Sequence, residues 1–290
     1  MIYIKIHLMI KREKKIISYA SGGLGNILLP ISSCIAFAEL TGRKPVICWE
    51  PIFRCMGTFH DLFENEIQVI KKSDLLNLEN IKIYCDSIGY IENDSNLYSD
   101  SSFLQVTQKH PSLLPVSSLN INAEQENIIL YHNNFLSQLD NEKSIKGLHS
   151  LIVKKEILRI VEEFVKMNNI NKNVFGAHAR ATDFNNGIDS YLRSISSIIA
   201  SNSEYKFFLC SDSTDWEEQI FNLFPNNIII RKKKDVVTKL NQNNNNWSNN
   251  ALTSKEAVIE GLIDMIILSK TNFTVYNEHS SFAQMVKYLI

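Results

Sequence analysis

The chain has 290 residues, 44% hydrophobic and 21% charged, which is enough for one large core or two ordinary ones, with the length favouring two domains. A formal net charge of −1 argues against a generic nucleic-acid or anionic-membrane surface, because those partners are usually met by a basic excess. The five cysteines, Cys34, Cys48, Cys55, Cys85 and Cys210, form no C-x-x-C pair, so no zinc site is evident and reduced thiols in a cytoplasmic compartment are expected.

Met1 to Ile10 is apolar but too short to span a bilayer, and no small-residue cleavage site follows it. Residues 1–15 are therefore read as a peripheral extension, and no transmembrane segment is expected. The first strand is placed at Ile16-Ile17-Ser18-Tyr19. It runs into Gly22-Gly23-Leu24-Gly25-Asn26 and then an apolar, helix-like run from Ile27 to Leu40, closed by Thr41-Gly42. Strand, glycine-rich turn and helix together bring backbone N–H groups and a helix N-terminus up to an anion. Gly23 and Gly25 also give the G-x-G of a dinucleotide fingerprint, with Glu50 after the next strand, Pro45 to Trp49, although Leu28 stands where the third glycine belongs. A tight turn that only lets the helix pack on its sheet is the plainer account of the same glycines.

Short apolar runs at Ile67–Ile70 and Ile81–Tyr84 read as strands between polar connections, and their alternation with helices implies a parallel sheet. Ile128–Tyr131 is a further strand, ending in His132-Asn133-Asn134-Phe135. Lys154 to Met167 carries the stripe of an amphipathic helix. The polar break from Asn168 to Asn173 sets the expected boundary between residues 1–170 and residues 171–290.

The second half opens on the strand Val174–Ala177, which runs out into His178-Ala179-Arg180-Ala181-Thr182-Asp183. The period of two puts His178 and Arg180 on one side, and a fixed guanidinium fork suits two phosphate oxygens. The same residues also read as an Arg180–Asp183 pair beside a core histidine. Ser190–Ala200 is helical, and the strand Tyr205–Cys210 ends in Ser211-Asp212-Ser213. After the helix Trp216–Phe224, the strand Ile228–Ile230 leads into Arg231-Lys232-Lys233-Lys234, a charge run read as a solvated face. Asn241 to Asn250 is a loop by composition. Ser254 caps a mostly apolar helix, Lys255 to Ser269, and within it Asp264 is a carboxylate that requires a partner. That partner is a base N–H or ribose hydroxyl on one reading, a backbone amide or arginine on the other. The strand Asn272–Tyr276 then delivers Ser280-Ser281-Phe282 to a final helix, a place where amides and hydroxyls hold phosphate without a metal.

These patches resemble the GDP-fucose-dependent fucosyltransferases. Gly22-Gly23-Leu24-Gly25-Asn26 is similar to the G-G-L-G-N turn of the compact bacterial α-1,2 enzymes. His178 to Asp183 is similar to the H-x-R-R-G-D motif and, in its Thr-Asp, to the H-x-R-R-T-D of the α-1,6 enzymes. Phe207 to Asp212 resembles the strand and S-D loop that follow, and Leu262-Ile263-Asp264 through Ser280-Ser281-Phe282 the closing segment. Tyr131 to Phe135 stands where the family has a G-Y-F-Q-like stretch.

The resemblance implies an α/β, GT-B-like fold of two Rossmann-like domains facing across a cleft, the acceptor side first and the GDP-sugar side second. It implies inverting, metal-independent transfer of fucose from GDP-fucose to a glycan hydroxyl, with no cofactor. Arg180 would grip the β-phosphate, His178 would line the pocket and Asp264 would read the guanine or ribose. Ser280, Ser281 and Phe282 would hold the pyrophosphate end, with Ser211 and Asp212 nearby and Gly23, Gly25 and Asn26 facing them. Asp183 and Asp189 are the candidate bases for the acceptor hydroxyl. Three positions depart from the pattern: Ala181 replaces the second arginine, Ile27 a glutamine, and His279 is an extra residue before the serine pair. Ala181 leaves open a non-catalytic nucleotide-sugar-binding protein, and the glycine turn a nicotinamide- or flavin-dependent oxidoreductase. Asn93-Asp94-Ser95, Asn246-Trp247-Ser248 and Asn272-Phe273-Thr274 are formal glycosylation sequons. Asn272 is expected to open a buried strand that no glycan fits, which favours the cytoplasm.

Overall fold

The structure is a computed structural model and describes residues 13–85, 101–110, 113–120, 122, 127–131, 136, 139–181, 187–239 and 251–290. The expected end of the sixth strand's loop (132–135), Thr182 and Asp183, the sequons at Asn93 and Asn246, and the asparagine-rich segment lie outside these residues, as do residues 1–12 of the extension.

Apolar strands alternating with helices produce parallel sheets, since a parallel neighbour needs a crossover long enough to hold a helix. In chain order the first half contains β1 (Lys15–Tyr19), α1 (Leu24–Thr41), β2 (Lys44–Cys48), α2 (Phe59–Leu62), β3 (Gln68–Ile70), α3 (Lys72–Leu75), β4 (Ile81–Cys85), α4 (Ser101–Lys109), β5 (Leu113–Pro115), β6 (Asn127–Tyr131), α5 (Asn141–His149) and α6 (Lys155–Met167). The second contains β7 (Phe175–Ala179), α7 (Gly187–Ser201), β8 (Phe207–Ser211), α8 (Thr214–Leu223), β9 (Ile228–Ile230), β10 (Thr238–Lys239), β11 (Ala251–Leu252), α9 (Lys255–Ser269), β12 (Asn272–Val275) and α10 (Ser281–Leu289).

Two parallel sheets result, ordered β3-β2-β1-β6-β4-β5 and β12-β7-β8-β9, with β10 and β11 forming a small antiparallel pair. The sequence order of the strands breaks between β1 and β6 in the first sheet and between β12 and β7 in the second. At such a point the loops leaving neighbouring strands diverge and open a crevice at the strands' carboxyl ends. The glycine turn follows β1, Arg180 follows β7, and Asn277–Ser280 follows β12. The fold is thus α/β and GT-B-like, two Rossmann-like sheets with their ligand-facing edges turned to one cleft.

Helix α1 is the centre of the packing. Its buried side chains include Ile27, Leu28, Ile31, Cys34 and Phe37, and it contacts β1, β2, α5 and α10. Among the described residues it alone is long and apolar enough to cross a membrane by composition, and 67% of that window is buried inside the protein. Gly42, at φ 62°, ends it by donating its N–H to the carbonyl of Ala38, the left-handed close that glycine adopts without strain. One core cluster joins both halves: Leu24, Ile27 and Ile31 of α1 meet Val258, Leu262 and Met265 of α9 and Met285 and Val286 of α10. Each such aliphatic side chain removed from water contributes about 1.5–3 kcal/mol before entropy is counted. The last helix, assigned by sequence to residues 171–290, therefore packs on α1 and α5 of the first half.

Two expectations fail. Lys15, placed in the peripheral extension, is the first residue of β1 and pairs with Lys44 and Asn127. Asn272 is exposed: among the described residues β12 is an edge strand bonded to β7 alone, and edge strands leave one margin unpaired. The argument from that sequon to a compartment falls with it.

Candidate functional site

A cavity of about 330 Å³ lies where the two halves meet, within the range of small-ligand sites. The first half contributes Gly23, Leu24, Gly25, Asn26 and Arg54. The second contributes the strand-end residues His178, Arg180, Ser211, Asp212 and Lys233 and the start of α10, His279 to Phe282.

The glycine turn explains one wall. Gly22 sits at φ +98°, a region that a side chain rarely tolerates. Gly23 is the N-cap of α1 and offers no side-chain cap, so the first-turn N–H groups have no intrahelical acceptor. Helix α10 starts directly across from it, capped by the Ser280 hydroxyl, which accepts from the Ala283 N–H at 3.4 Å. The two helix ends touch at Gly25. A Cβ there would lie 2.6 Å from the Ser281 carbonyl carbon and 2.7 Å from the Phe282 nitrogen. Gly25 is glycine because two backbones meet, which removes the need for a dinucleotide. Two positive helix ends thereby border one cavity, an arrangement that favours an anion.

Arg180 is held from two sides. The hydroxyl of Tyr191 accepts its N–H at 3.2 Å, and its Nε lies 3.3 Å from Asp212 Oδ2. Asp212 Oδ1 accepts the Ala181 N–H at 2.7 Å. Asp212, expected as a donor ligand, thus fixes the loop and orients the guanidinium. Ser211 lines the cavity, but its hydroxyl donates to the Ala179 carbonyl at 2.5 Å. His178 is 3% exposed and stacks on Phe282, with ring centroids 4.4 Å apart and planes at 24°. Burial lowers its pKa to about 4, and the Arg180 and Lys233 cations push the same way against Asp212 and Asp264. The ring is neutral at pH 7, and its Nδ1 has no hydrogen-bond partner among the described residues.

Behind this wall the structure corrects one reading and supplies the partners of Asp264. The run Arg231-Lys232-Lys233-Lys234 is not a solvated face: the side chains of Arg231 and Lys233 are 7% and 5% exposed, and only the alternate Lys232 and Lys234 face water. Arg231 donates through Nε (3.0 Å) and Nη2 (2.8 Å) to Asp264 Oδ1 and pairs with Glu260. Lys233 pairs with Glu217, reaches Asp264 Oδ2 at 3.3 Å and donates to the Ser211 carbonyl at 2.7 Å. Asp264 therefore has an arginine and a lysine as partners, the second of the two alternatives. Burial works against the Lys233 charge, but Asp264 and Glu217 outweigh it and raise its pKa. Burial pushes the Glu217 carboxyl up, with Lys233 opposing. The signal that could have found the cluster was available: the run leaves β9 at its carboxyl end, where three other strands deliver polar groups, and its alternation matches a strand period.

Of the predicted residues, Gly23, Gly25, Asn26, His178, Arg180, Ser211, Asp212, Asp264, Ser280, Ser281 and Phe282 all border this cavity. Asp189 does not; it is exposed in the first turn of α7. Arg54, Lys233, Asp235, Thr253 and Glu260 border it without having been singled out. Among the described residues no His, Cys, Asp or Glu group is arranged to hold a metal ion.

No protein-family model matches this chain, and no curated protein matches it by sequence. Solved structures do. The NodZ α-1,6-fucosyltransferase soaked with GDP-fucose superposes with a TM-score of 0.64 at 18% identity, covering 96% of this chain and 93% of that one. The fucosyltransferase NodZ from Bradyrhizobium gives 0.63 at 18% identity over 96% and 93%. POFUT1 in complex with GDP-fucose gives 0.54 at 12% identity over 96% and 94%. At these identities the likeness is one of fold, and it extends over nearly the whole of each chain.

Proposed function

We propose that this chain is an inverting glycosyltransferase that moves fucose from GDP-fucose to a hydroxyl of a glycan acceptor. The observation that carries the reading is the convergence of Arg180 and two helix N-termini on one interdomain cavity, in a fold shared with structures that hold GDP-fucose. The diphosphate would lie against the start of α10, with Arg180 on the β-phosphate. As the glycosidic bond breaks, negative charge grows on the departing GDP. A guanidinium already oriented by Asp212 and amides fixed at helix ends meet that charge without reorganising, the condition for electrostatic catalysis. These groups support a reaction that needs no metal. Neutral His178, stacked on Phe282, would border the nucleotide. The base that takes the acceptor proton would be Asp183, since Asp189 stands outside the cavity. The five cysteines are free and buried, in keeping with the cytoplasm as the proposed compartment.

Ala181 supports a second reading, a nucleotide-sugar-binding protein without turnover, because its position carries only a backbone N–H bonded to Asp212. Calorimetric titration with GDP, GDP-fucose, UDP and NAD, without metal, tests the first reading. GDP compounds alone should bind, and Arg180→Ala should lose about 2 kcal/mol, as expected for a charge-assisted phosphate contact. Binding of UDP or NAD in place of GDP would sink the assignment; GDP-fucose binding without GDP release across an acceptor panel would select the second reading.

A further inference from the structure

The second-half wall of the cavity is short of positive charge. It carries the cations Arg180 and Lys233 and the carboxylates Asp212, Asp235, Glu260 and Asp264, the last two paired with Arg231 behind the wall. Arg180 already faces Asp212, and Lys233 is held by Glu217 and Asp264. A nucleoside diphosphate bound against this wall meets more negative charge than positive, and the helix ends supply only partial charges. The first half places one titratable side chain on the cavity among the described residues, Arg54.

Its position is built. Ile52 and Cys55 exchange backbone hydrogen bonds of 3.1 and 2.8 Å, closing a tight turn with Arg54 inside it. Thr253 of the second half clamps that turn: its N–H donates to the Phe53 carbonyl at 2.8 Å, and its carbonyl accepts from the Met56 N–H at 3.0 Å. Cys55 is fully buried, and a Cβ on Gly57 would stand 2.9 Å from Val258 Cγ1, so the turn lies flush on α9. The backbone under Arg54 is thus fixed by both halves, which lowers the ordering cost of a contact that this side chain makes with a ligand.

We propose that Arg54 is a donor-binding residue, meeting the diphosphate from the first-half wall as the second guanidinium beside Arg180. The assignment rests on the nucleotide-sugar reading above. It gives the position vacated at Ala181 a functional replacement from a different segment, and it makes the diphosphate itself a bridge between the halves.

The test is calorimetric titration of wild type, Arg54→Gln and Arg54→Lys with GDP and with guanosine, with thermal melts to verify folding. Arg54→Gln should weaken GDP at least tenfold and leave guanosine unchanged, and the lysine variant should recover part of the loss. If the glutamine variant fails to fold, the lysine variant alone should still weaken GDP relative to guanosine, since a point charge lacks the bidentate fork. Unchanged GDP affinity in a folded variant overturns the proposal. So does an equal loss of GDP and guanosine, which would make Arg54 a structural support. So does unchanged donor binding with a raised acceptor KM, which would place it on the acceptor. Wild type that binds no GDP overturns the donor reading first, and is told apart by failing before any variant is made.

Discussion

Replacing Gly25 by alanine tests the junction on which the site depends. The added Cβ would stand 2.6–2.8 Å from the Ser281 carbonyl and the Phe282 nitrogen. Ordinary contact begins near 3.5 Å, so α10 must retreat by roughly 0.7–0.9 Å or α1 must tilt. The obstructing atoms are backbone and cannot swing aside as a side chain would. Overpacking of this kind costs about 1–3 kcal/mol, offset by at most about 1 kcal/mol from the better helix propensity of alanine. A net loss of about 1–2 kcal/mol should lower the urea midpoint by roughly 0.5 M for a slope near 3 kcal/mol/M. GDP affinity should fall as well, because the two helix ends move apart. Gly261→Ala is the matched comparison on the same cavity: among the described residues its Cβ would meet Leu24 Cδ2 and Phe282 Cε2, both at an ordinary 3.9 Å. Inside α9 that change should stabilise by about 1 kcal/mol. If Gly25→Ala equals wild type in both midpoint and GDP affinity, the helix-end contact is not what Gly25 is for.

Asp264→Asn removes the carboxylate shared by Arg231 and Lys233; breaking a buried ion pair costs about 3–5 kcal/mol, and a loss below about 1 kcal/mol in urea unfolding would instead return Asp264 to a ligand-reading role. His178 supplies a pH dependence. Its folded pKa of about 4 lies below the ordinary 6.5, so protons bind the unfolded chain more tightly, and its contribution is fully present above pH 6.5 and lost as pH falls through 4. That loss reaches about 3 kcal/mol, and His178→Gln should flatten the midpoint-against-pH curve between 6.5 and 4; an unchanged curve would rule out His178 as its source.

The elements were legible because they are written locally. Lys255–Ser269 follows from the Ser254 cap and an apolar run, and Ser254 does accept the Ala257 N–H at 3.0 Å. The strands at Ile81, Ile128 and Ile228 announced themselves as short apolar runs between polar stretches, and the crevice at their carboxyl ends follows from parallel topology. Asp264 was recognised as a charge that needed a partner, since burying it alone is costly. Which partner it has was not legible, because Arg231 is 33 residues away and nothing in a charge run states which of its members turn inward.

Gly25 shows the same division. The sequence by itself determined that a glycine turn opens a helix after a buried strand, and that His178 and Arg180 share a side of another. Only the tertiary structure decided that Gly25 faces the backbone of Ser281 and Phe282, that Asp212 orients Arg180, that Asp189 stays outside, and that Arg54 enters the cavity on a turn clamped by Thr253. Periodicity and capping act within a few residues along the chain, and sequence exposes them. Close backbone approach, charge pairing and cavity walls are made between segments far apart in the chain, and they exist only once the two sheets have closed on α1.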